Sequence, residues 1–355
     1  MNDLTIELQE RKTKVVLPEN LAFGRNFTDH YFEMDYNSEK GWHNAIIKKY
    51  GTFPVSPATM VFHYGQAIFE GLKAYKQIDG RVAIFRPEKN FERLNNSAER
   101  MCIPKVDEKF VLDALKKLIE IEQDWIPTQK GYSLYVRPLV FGSDPILGVK
   151  PSDEYKFMMF LSPVGPYYPQ GFKPVPIYVT DQFVRAAKKG IGECKTAANY
   201  AASFAGQAEA KKHGYSQVLW LDGIEQKYLE EVGAMNIFVQ FKDEVTTPML
   251  NGSILPGITR LSCLQILKDW KYNTTERLIS IQEVIDAYKS GRLVEMFGTG
   301  TAAIISSVSK LKFNDTILQF NEERAGELST KLYNELIGIQ FGEIEDRYGW
   351  MTYLE

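Results

Sequence analysis

Cysteine and histidine are scarce in this chain, with three and four among 355 residues. Cys102, Cys194 and Cys263 lie far apart and form no C-x-x-C. That argues against a disulfide framework or a cysteine-based zinc site and favours a reducing compartment. His30, His43, His63 and His213 show no metal-ligand spacing, so no metal is expected and each histidine reads as structural or surface. Charge of one sign is not in excess either: 42 basic residues face 45 acidic ones, a formal net charge of -3. This balance recommends no nucleic acid partner, and no long charge run suggests a tail. Long apolar runs are also missing. Nowhere do about 18 apolar residues follow one another, so no membrane span is expected. The N-terminal stretch has no apolar h-region or small-residue cleavage site, and Asp3, Glu7 and Glu10 argue against a transit peptide. These absences leave a cytoplasmic protein acting on small molecules.

What is present suffices for a substantial core: 44% of residues are hydrophobic and 13% aromatic. The length exceeds what one compact core usually takes, so two domains are expected. The clearest break is SPVGPYYPQGFKPVP, where Pro163, Pro166, Pro169, Pro174 and Pro176 crowd between two apolar strands. Prolines that dense cannot donate to a sheet or continue a helix. The expected division is an N-terminal α/β domain over 1–163, a connector over 164–176 and a larger C-terminal domain over 177–355. Patterning predicts strands near 82–85, 133–141, 156–162, 176–180, 217–221 and 236–241. Helices are predicted near 90–102, 108–126, 199–213, 258–270, 281–289 and 321–340. Within 108–126, Val111, Leu115, Leu118, Glu122 and Trp125 fall at helical spacing. Strands and helices alternate only loosely, which favours an α/β (α+β) protein of two domains with mixed sheets over one doubly wound sheet.

Four segments could carry chemistry. In GECKTAANYAAS, Lys195 precedes small residues and then Asn199 and Tyr200. A desolvated lysine with room beside it can form a Schiff base with a carbonyl, although a surface or salt-bridged lysine is the commoner meaning. In LEEVGAMNIFVQF, Glu231 stands at the lip of an apolar strand, where a carboxylate could pair with a protonated pyridine nitrogen. Its neighbour Glu230 reads as a solvated strand-end acid. In ILPGITRL, Pro256 and Gly257 precede a helix beginning at Ile258 and Thr259, whose free N–H groups would attract a phosphate. In MFGTGTAAII, Gly298 and Gly300 bracket Thr299 ahead of Thr301 and Ala302, a loop able to turn N–H groups inward. A plain helix start and a plain turn are the alternatives. Arg93 could add a charge-assisted bond to the same phosphate or merely solvate its helix. Gly190-Ile191-Gly192 runs into Glu-Cys-Lys and is no dinucleotide fingerprint.

Together with HYGQAIFEGLKAY, FRPEKNFERLNNSAERM, YVRPLVFG, LSPVGPYYP and QVLWLD, these segments resemble the branched-chain amino acid aminotransferases. The resemblance runs in family order from about residue 27 to the C-terminus. It implies the fold type IV architecture of pyridoxal-5'-phosphate (PLP) enzymes, with two domains and the active site at their interface. It also implies a ping-pong transfer of the amino group of L-leucine, L-isoleucine or L-valine to 2-oxoglutarate. By resemblance, Lys195 carries the Schiff base and shuttles the proton, Glu231 holds the pyridine nitrogen and Tyr200 the phenolic oxygen. Arg93, the N–H groups of Ile258 and Thr259, and Thr301 hold the phosphate. Tyr64, Phe69, Tyr135 and Ala234 shape an apolar pocket, and the backbone at Thr301 and Ala302 meets the substrate carboxylate. Arg137 binds the side-chain carboxylate of glutamate or 2-oxoglutarate. Val149 reaches the partner subunit's site, which implies a homodimer.

The sequence departs from familiar members in places. Ala197 and Ala198 stand where two glycines are frequent, and Ala234 stands where mammalian members have threonine. Ala303 and Ser306 replace the mammalian redox C-x-x-C, so no thiol switch is expected there. Rival readings are a D-amino acid aminotransferase or aminodeoxychorismate lyase of the same fold, and a PLP-binding protein without catalysis. The last would leave Tyr64, Tyr135 and Arg137 without a task.

Overall fold

The computed structural model describes residues 3–9, 15–18, 21–167 and 171–354. Glu10 and the connector's Tyr168, Pro169 and Gln170 lie outside them. The chain forms two compact units, one of Met1–Tyr167, Cys194–Ala197 and Ile337–Glu355, the other of Tyr168–Glu193 and Ala198–Leu336. Both carry mixed sheets flanked by helices, the α/β (α+β) class expected from the patterning.

The first unit contains β1 (Thr5–Ile6), β2 (His30–Asn37), β3 (Gly41–Lys49), β4 (Ala67–Phe69), β5 (Leu72–Lys76), β6 (Val82–Phe85), β7 (Ser133–Gly142), β8 (Tyr155–Val164) and a C-terminal strand, Met351–Tyr353. Their order is β1-β3-β2-β8-β7-β5-β6 and then the C-terminal strand, with β4 also on β7. Only the β1–β3 pairing is parallel among these. Because the C-terminal strand pairs β6, the end of the chain belongs here and not with the C-terminal domain assigned from the sequence. Helices α1 (Met60–Tyr64), α2 (Pro87–Arg100) and α3 (Glu108–Ile121) complete the unit. On β7, Leu134, Val136 and Val140 enter the core while Tyr135 and Arg137 take the other face, as the period of two requires. On α3, Val111, Leu115 and Leu118 are fully buried, and Asp107 caps the helix by accepting from Phe110 N. Glu122 follows the same stripe inward. It escapes an unpaired burial because His30 Nδ1 bonds its Oε1 and Asp29 N donates to Oε2.

The second unit holds β9 (Val175–Val179), β10 (Gln217–Leu221), β11 (Leu229–Val232), β12 (Met235–Phe241), β13 (Val245–Pro248), β14 (Thr274–Arg277), β15 (Leu293–Gly300), β16 (Ile304–Phe313) and β17 (Thr316–Gln319). The order is β11-β10-β9-β16-β15-β12-β13-β14, and β11 also pairs β12. That extra pairing closes β11, β10, β9, β16, β15 and β12 into a barrel, which removes their free edges. Its interior is apolar, with Val179, Leu219, Val232, Ile237, Val239 and Leu311 among the buried residues.

Helices α4 (Ala197–Ala202), α5 (Phe204–Lys212), α6 (Ile258–Asp269) and α7 (Ile281–Lys289) accompany these strands, with α8 (Glu327–Phe341) as far as Leu336. The helix expected over 199–213 is broken at Ser203, whose hydroxyl donates to Tyr200 O at 2.7 Å instead of leaving the backbone to continue. The helix expected from 321 begins at Glu327. Ahead of it, Asn321 Oδ1 takes the N–H groups of Glu323 and Arg324 into a turn.

Candidate functional site

In the first unit the decisive local feature is a proline inside a strand. Pro138 has no N–H to give, and the partner strand is interrupted opposite it: β4 pairs residues 139–141 of β7, β5 pairs 134–136, and Glu70 and Gly71 stand between. Glu70, freed from the ladder's alternation, is fully buried. It receives Arg93 in a two-pronged pair, Nε to Oε1 at 2.8 Å and Nη2 to Oε2 at 2.9 Å, with Asn90 Nδ2 at 2.7 Å. Burial opposes ionisation of this carboxyl, but the charge and hydrogen bonds of Arg93, with Lys195 and Asn90, overcome it and hold its pKa below the ordinary value. Gly71 provides room. A Cβ there would come within 2.0 Å of the Tyr135 hydroxyl. That hydroxyl accepts a hydrogen bond from Arg137 Nη2 at 2.9 Å.

Lys195 enters this same region. Its N–H donates to Ser97 Oγ at 3.0 Å, its carbonyl accepts from Phe69 N at 2.9 Å, and Thr196 Oγ1 donates to Ala67 O at 2.7 Å. The lysine is thereby stitched to the edge of β4. Its Nζ lies 5.0 Å from the centroid of the Phe69 ring, and the Arg137 guanidinium carbon lies 4.6 Å from that same centroid. Arg137 Nε is buried with no hydrogen-bond partner among the described residues. A buried donor in that condition calls for an acceptor. The structure thus brings together Phe69, Tyr135, Arg137 and Lys195. Tyr64 bonds elsewhere, donating to the carbonyl of Leu147, two residues before Val149, which is 87% exposed.

One prediction belongs to this geometry. Gly71→Ala is expected to push Tyr135 off Arg137, lowering stability by about 1–3 kcal/mol through overpacking. It should also raise KM for a dicarboxylate substrate more than for an apolar one. Thermal unfolding and KM for each substrate check it; unchanged values in both would show that the ring yields without consequence.

In the second unit Glu231, Asn236 and Thr299 stand opposite one another across β11, β12 and β15, hence on one face. That face meets the segment leading into α6. Glu231 Oε1 accepts from Leu255 N at 2.7 Å, and Asn236 Nδ2 donates to Leu255 O at 2.9 Å. A Cβ on Gly257 would lie 1.9 Å from Asn236 Oδ1, so only glycine fits this close approach. No side chain caps the N-terminus of α6, where Ile258 and Thr259 stand. The Thr299 hydroxyl is buried without a hydrogen-bond partner among the described residues. Thr301, Ala302 and Ala303 form the turn after β15, closed by Ile304 at φ 64, an uncommon conformation for a β-branched residue. Gly298–Gly300, read as loop from the sequence, instead completes β15. Ala234 is exposed in the β11–β12 turn, and Tyr200 lies in α4.

In the second unit, an uncapped helix start, an unpartnered threonine hydroxyl and a carboxylate have the chemistry that suits a phosphate and a protonated ring nitrogen such as those of PLP. In the first unit, a lysine stands beside aromatic rings. Among the described residues no three His, Cys, Asp or Glu side chains converge as metal ligands.

A family model described as amino-transferase class IV matches residues 67–311. The chain belongs to the class IV aminotransferases. It is 53% identical over 349 residues to branched-chain-amino-acid aminotransferase 2 of Bacillus subtilis (strain 168), covering 98% of this chain and 96% of that one. This places it with the branched-chain group of the family. Among solved structures it is similar to the Escherichia coli branched-chain amino acid aminotransferase, with a TM-score of 0.77 and 26% identity over 92% of this chain and 100% of that one. It also shares its fold with the branched-chain aminotransferase of the thermophilic archaeon Thermoproteus uzoniensis with norvaline, with a TM-score of 0.75 and 21% identity over 91% and 100%.

The structure of this class IV aminotransferase also corrects the expectation for Glu230 and brings in residues that the sequence pattern does not single out. Glu230, expected in solvent, is 2% exposed, because β11 lies inside the closed barrel wall. Burial is the largest cause that raises its pKa, to about 7. Glu70, Lys73 and Arg185 were overlooked. Lys73, opposite Tyr135 on β5, is buried, and desolvation lowers its pKa to about 8. Its strand position predicted alternation but not the depth of the face. The raised Glu230 pKa has a consequence for stability. The folded chain holds this proton more tightly than the unfolded one, so stability is lost as pH rises from about 4.5 through about 7. Glu230→Gln is therefore expected to gain on the wild type in Tm above pH 7 and to match it near pH 4.5. A difference independent of pH would contradict the assignment.

Proposed function

We propose that this chain transfers the amino group of L-leucine, L-isoleucine or L-valine to 2-oxoglutarate, yielding branched-chain 2-oxo acids and L-glutamate by a ping-pong sequence with PLP. The class IV aminotransferases are PLP enzymes, and amino acid substrates suit the family. When bound, PLP supplies an electron sink for the electron pair left as the substrate's Cα–H bond breaks. Lys195 would hold the cofactor through its ε-amine, and the same amine would be the group that takes up the proton from the substrate Cα. Glu231 holds the proton on the pyridine nitrogen, and Tyr200 donates to the phenolic oxygen. Ile258 and Thr259 N–H groups, Thr301 and Arg93 hold the phosphate. Arg93 is itself oriented by Glu70, through Nε to Oε1 and Nη2 to Oε2.

Phe69, Tyr64, Tyr135 and Ala234 would present apolar surface to the substrate side chain, favouring larger ones by roughly 1 kcal/mol per methylene. The backbone at Thr301 and Ala302 receives the substrate α-carboxylate. Arg137 accepts the second carboxylate of glutamate or 2-oxoglutarate. The single observation that carries this assignment is the unpartnered Nε of Arg137 beside Tyr135 and Phe69. Val149, exposed on its loop, reaches the partner subunit of a homodimer. No helix among the described residues is long and apolar enough to cross a membrane. Three free cysteines suit the cytoplasm.

Steady-state kinetics with a panel of L- and D-amino acids against 2-oxoglutarate test the reading, alongside the absorption of the PLP-loaded protein. L-Leucine, L-isoleucine and L-valine should turn over, and L-leucine should bleach the yellow band. Turnover of D-amino acids alone would favour the D-specific rival, and a band unmoved by any amino acid would favour the carrier.

A further inference from the structure

Two buried carboxyls are neighbours on β11, and Arg185 accompanies them. Arg185, itself 8% exposed, directs Nη2 to Glu231 Oε1 at 3.3 Å and also donates to the carbonyls of Gly192, at 3.2 Å, and Ser253. Gly192 makes this clamp possible: a Cβ there would lie 2.3 Å from the Ser253 carbonyl oxygen. Asn199 Nδ2 steadies the same loop by donating to Ile191 O at 2.8 Å. The glycine pair that forms no nucleotide fingerprint thus closes the loop onto Arg185.

Glu230 is held differently. Its Oε1 meets the Ser253 hydroxyl, which also lies 2.6 Å from Asn251 Oδ1. Asn251 Oδ1 already accepts from Ser253 N at 3.0 Å, so it is the acceptor of that contact. A hydroxyl has one proton to donate. If it goes to Asn251, the Glu230 contact needs a proton on the carboxyl, donating to Ser253 Oγ. Glu230 Oε2 is buried with no partner among the described residues, a costly state for a carboxylate and a tolerable one for an acid.

We propose that Arg185 is a positioning residue that makes Glu231 the ionised member of this adjacent pair, while the Ser253–Asn251 relay keeps Glu230 protonated. This rests on the reading that Glu231 partners the pyridine nitrogen, and it says what keeps that partner charged: one guanidinium balances one carboxylate, and the second carboxyl stays neutral.

The test uses the holoenzyme loaded with PLP labelled with 15N at the ring nitrogen, in wild type, R185Q, R185K, E230Q and E231Q. Ring-nitrogen chemical shift, cofactor dissociation constant and infrared carboxyl bands are measured at pH 7. E231Q should unprotonate the ring nitrogen; if it does not, the underlying reading fails. Given that result, R185Q should also shift the nitrogen toward the unprotonated form and weaken cofactor binding by about tenfold or more, the scale of one charge-assisted hydrogen bond. R185K should restore protonation. Wild type should show a protonated-acid band that E230Q removes with the ring nitrogen unchanged, an arm that stands even if R185Q does not fold. A protonated ring and unchanged affinity in R185Q, or loss of ring protonation in E230Q, would overturn the proposal while leaving Glu231's role intact.

Discussion

Lys195→Ala is expected to lower the rate of leucine transamination by roughly four orders of magnitude or more, since it removes both a proton-transfer group worth about 10²–10⁴ and the covalent anchor. The fold should survive. Lys195 is tied into the first unit by its backbone and by Thr196, through Ser97, Phe69 and Ala67, and alanine retains all of these bonds. Its Nζ lies over the face of the Phe69 ring. Losing that contact costs about 0.5–1 kcal/mol at most for a partly exposed pair. Comparison of kcat/KM with Tm separates the two roles: a large fall in rate with Tm held within a few degrees is the expected outcome. A variant that keeps a tenth of the activity would show that another amine does the work. Lys73, buried with its pKa lowered to about 8, is the first place to look.

Arg137→Ala should divide the two half-reactions. The guanidinium stacks on Phe69 and Tyr135 and bonds the Tyr135 hydroxyl, while its Nε awaits an acceptor. Without it, the second carboxylate of 2-oxoglutarate would be buried unpaired, at a cost of about 2–5 kcal/mol. That corresponds to a loss of roughly 30-fold to several thousand-fold in kcat/KM for 2-oxoglutarate. Leucine brings no such charge, so its half-reaction should fall by less than about tenfold, through lost packing alone. Single-turnover measurements of each half-reaction decide. Equal losses would mean that Arg137 supports the pocket without reading charge.

The strands and helices with clean periodicity were legible in the residues. Val82–Phe85, Gln217–Leu221 and Ile281–Lys289 lie where alternation or helical spacing puts them. The β2–β3 hairpin does not stand out in the sequence, because Glu33, Asp35 and Lys48 interrupt its apolar pattern; Glu33 pairs Lys48 on β3, and Asp35 pairs Lys156 on β8. Side-chain ion pairs across strands, visible only once the strands are adjacent, explain those charges. The same reasoning covers Glu230. A carboxyl in EEV looks solvated by composition, and only closure of the barrel through β11 and β12 turns its surroundings dry. Lys195, Glu231 and the α6 start stood out because each joins a reactive group to small or strand-ending neighbours. Glu70 and Arg185 did not, since their importance comes from partners far along the chain: Arg93 for one, Gly192 and Ser253 for the other.

Borohydride reduction of the PLP-loaded protein, followed by peptide mapping, probes the central claim at the level of a single atom. The account predicts one pyridoxyl label, on the peptide containing Cys194-Lys195-Thr196, and none in Lys195→Ala. A label on Lys73 or any other lysine, or no label on a protein that transaminates, would contradict it.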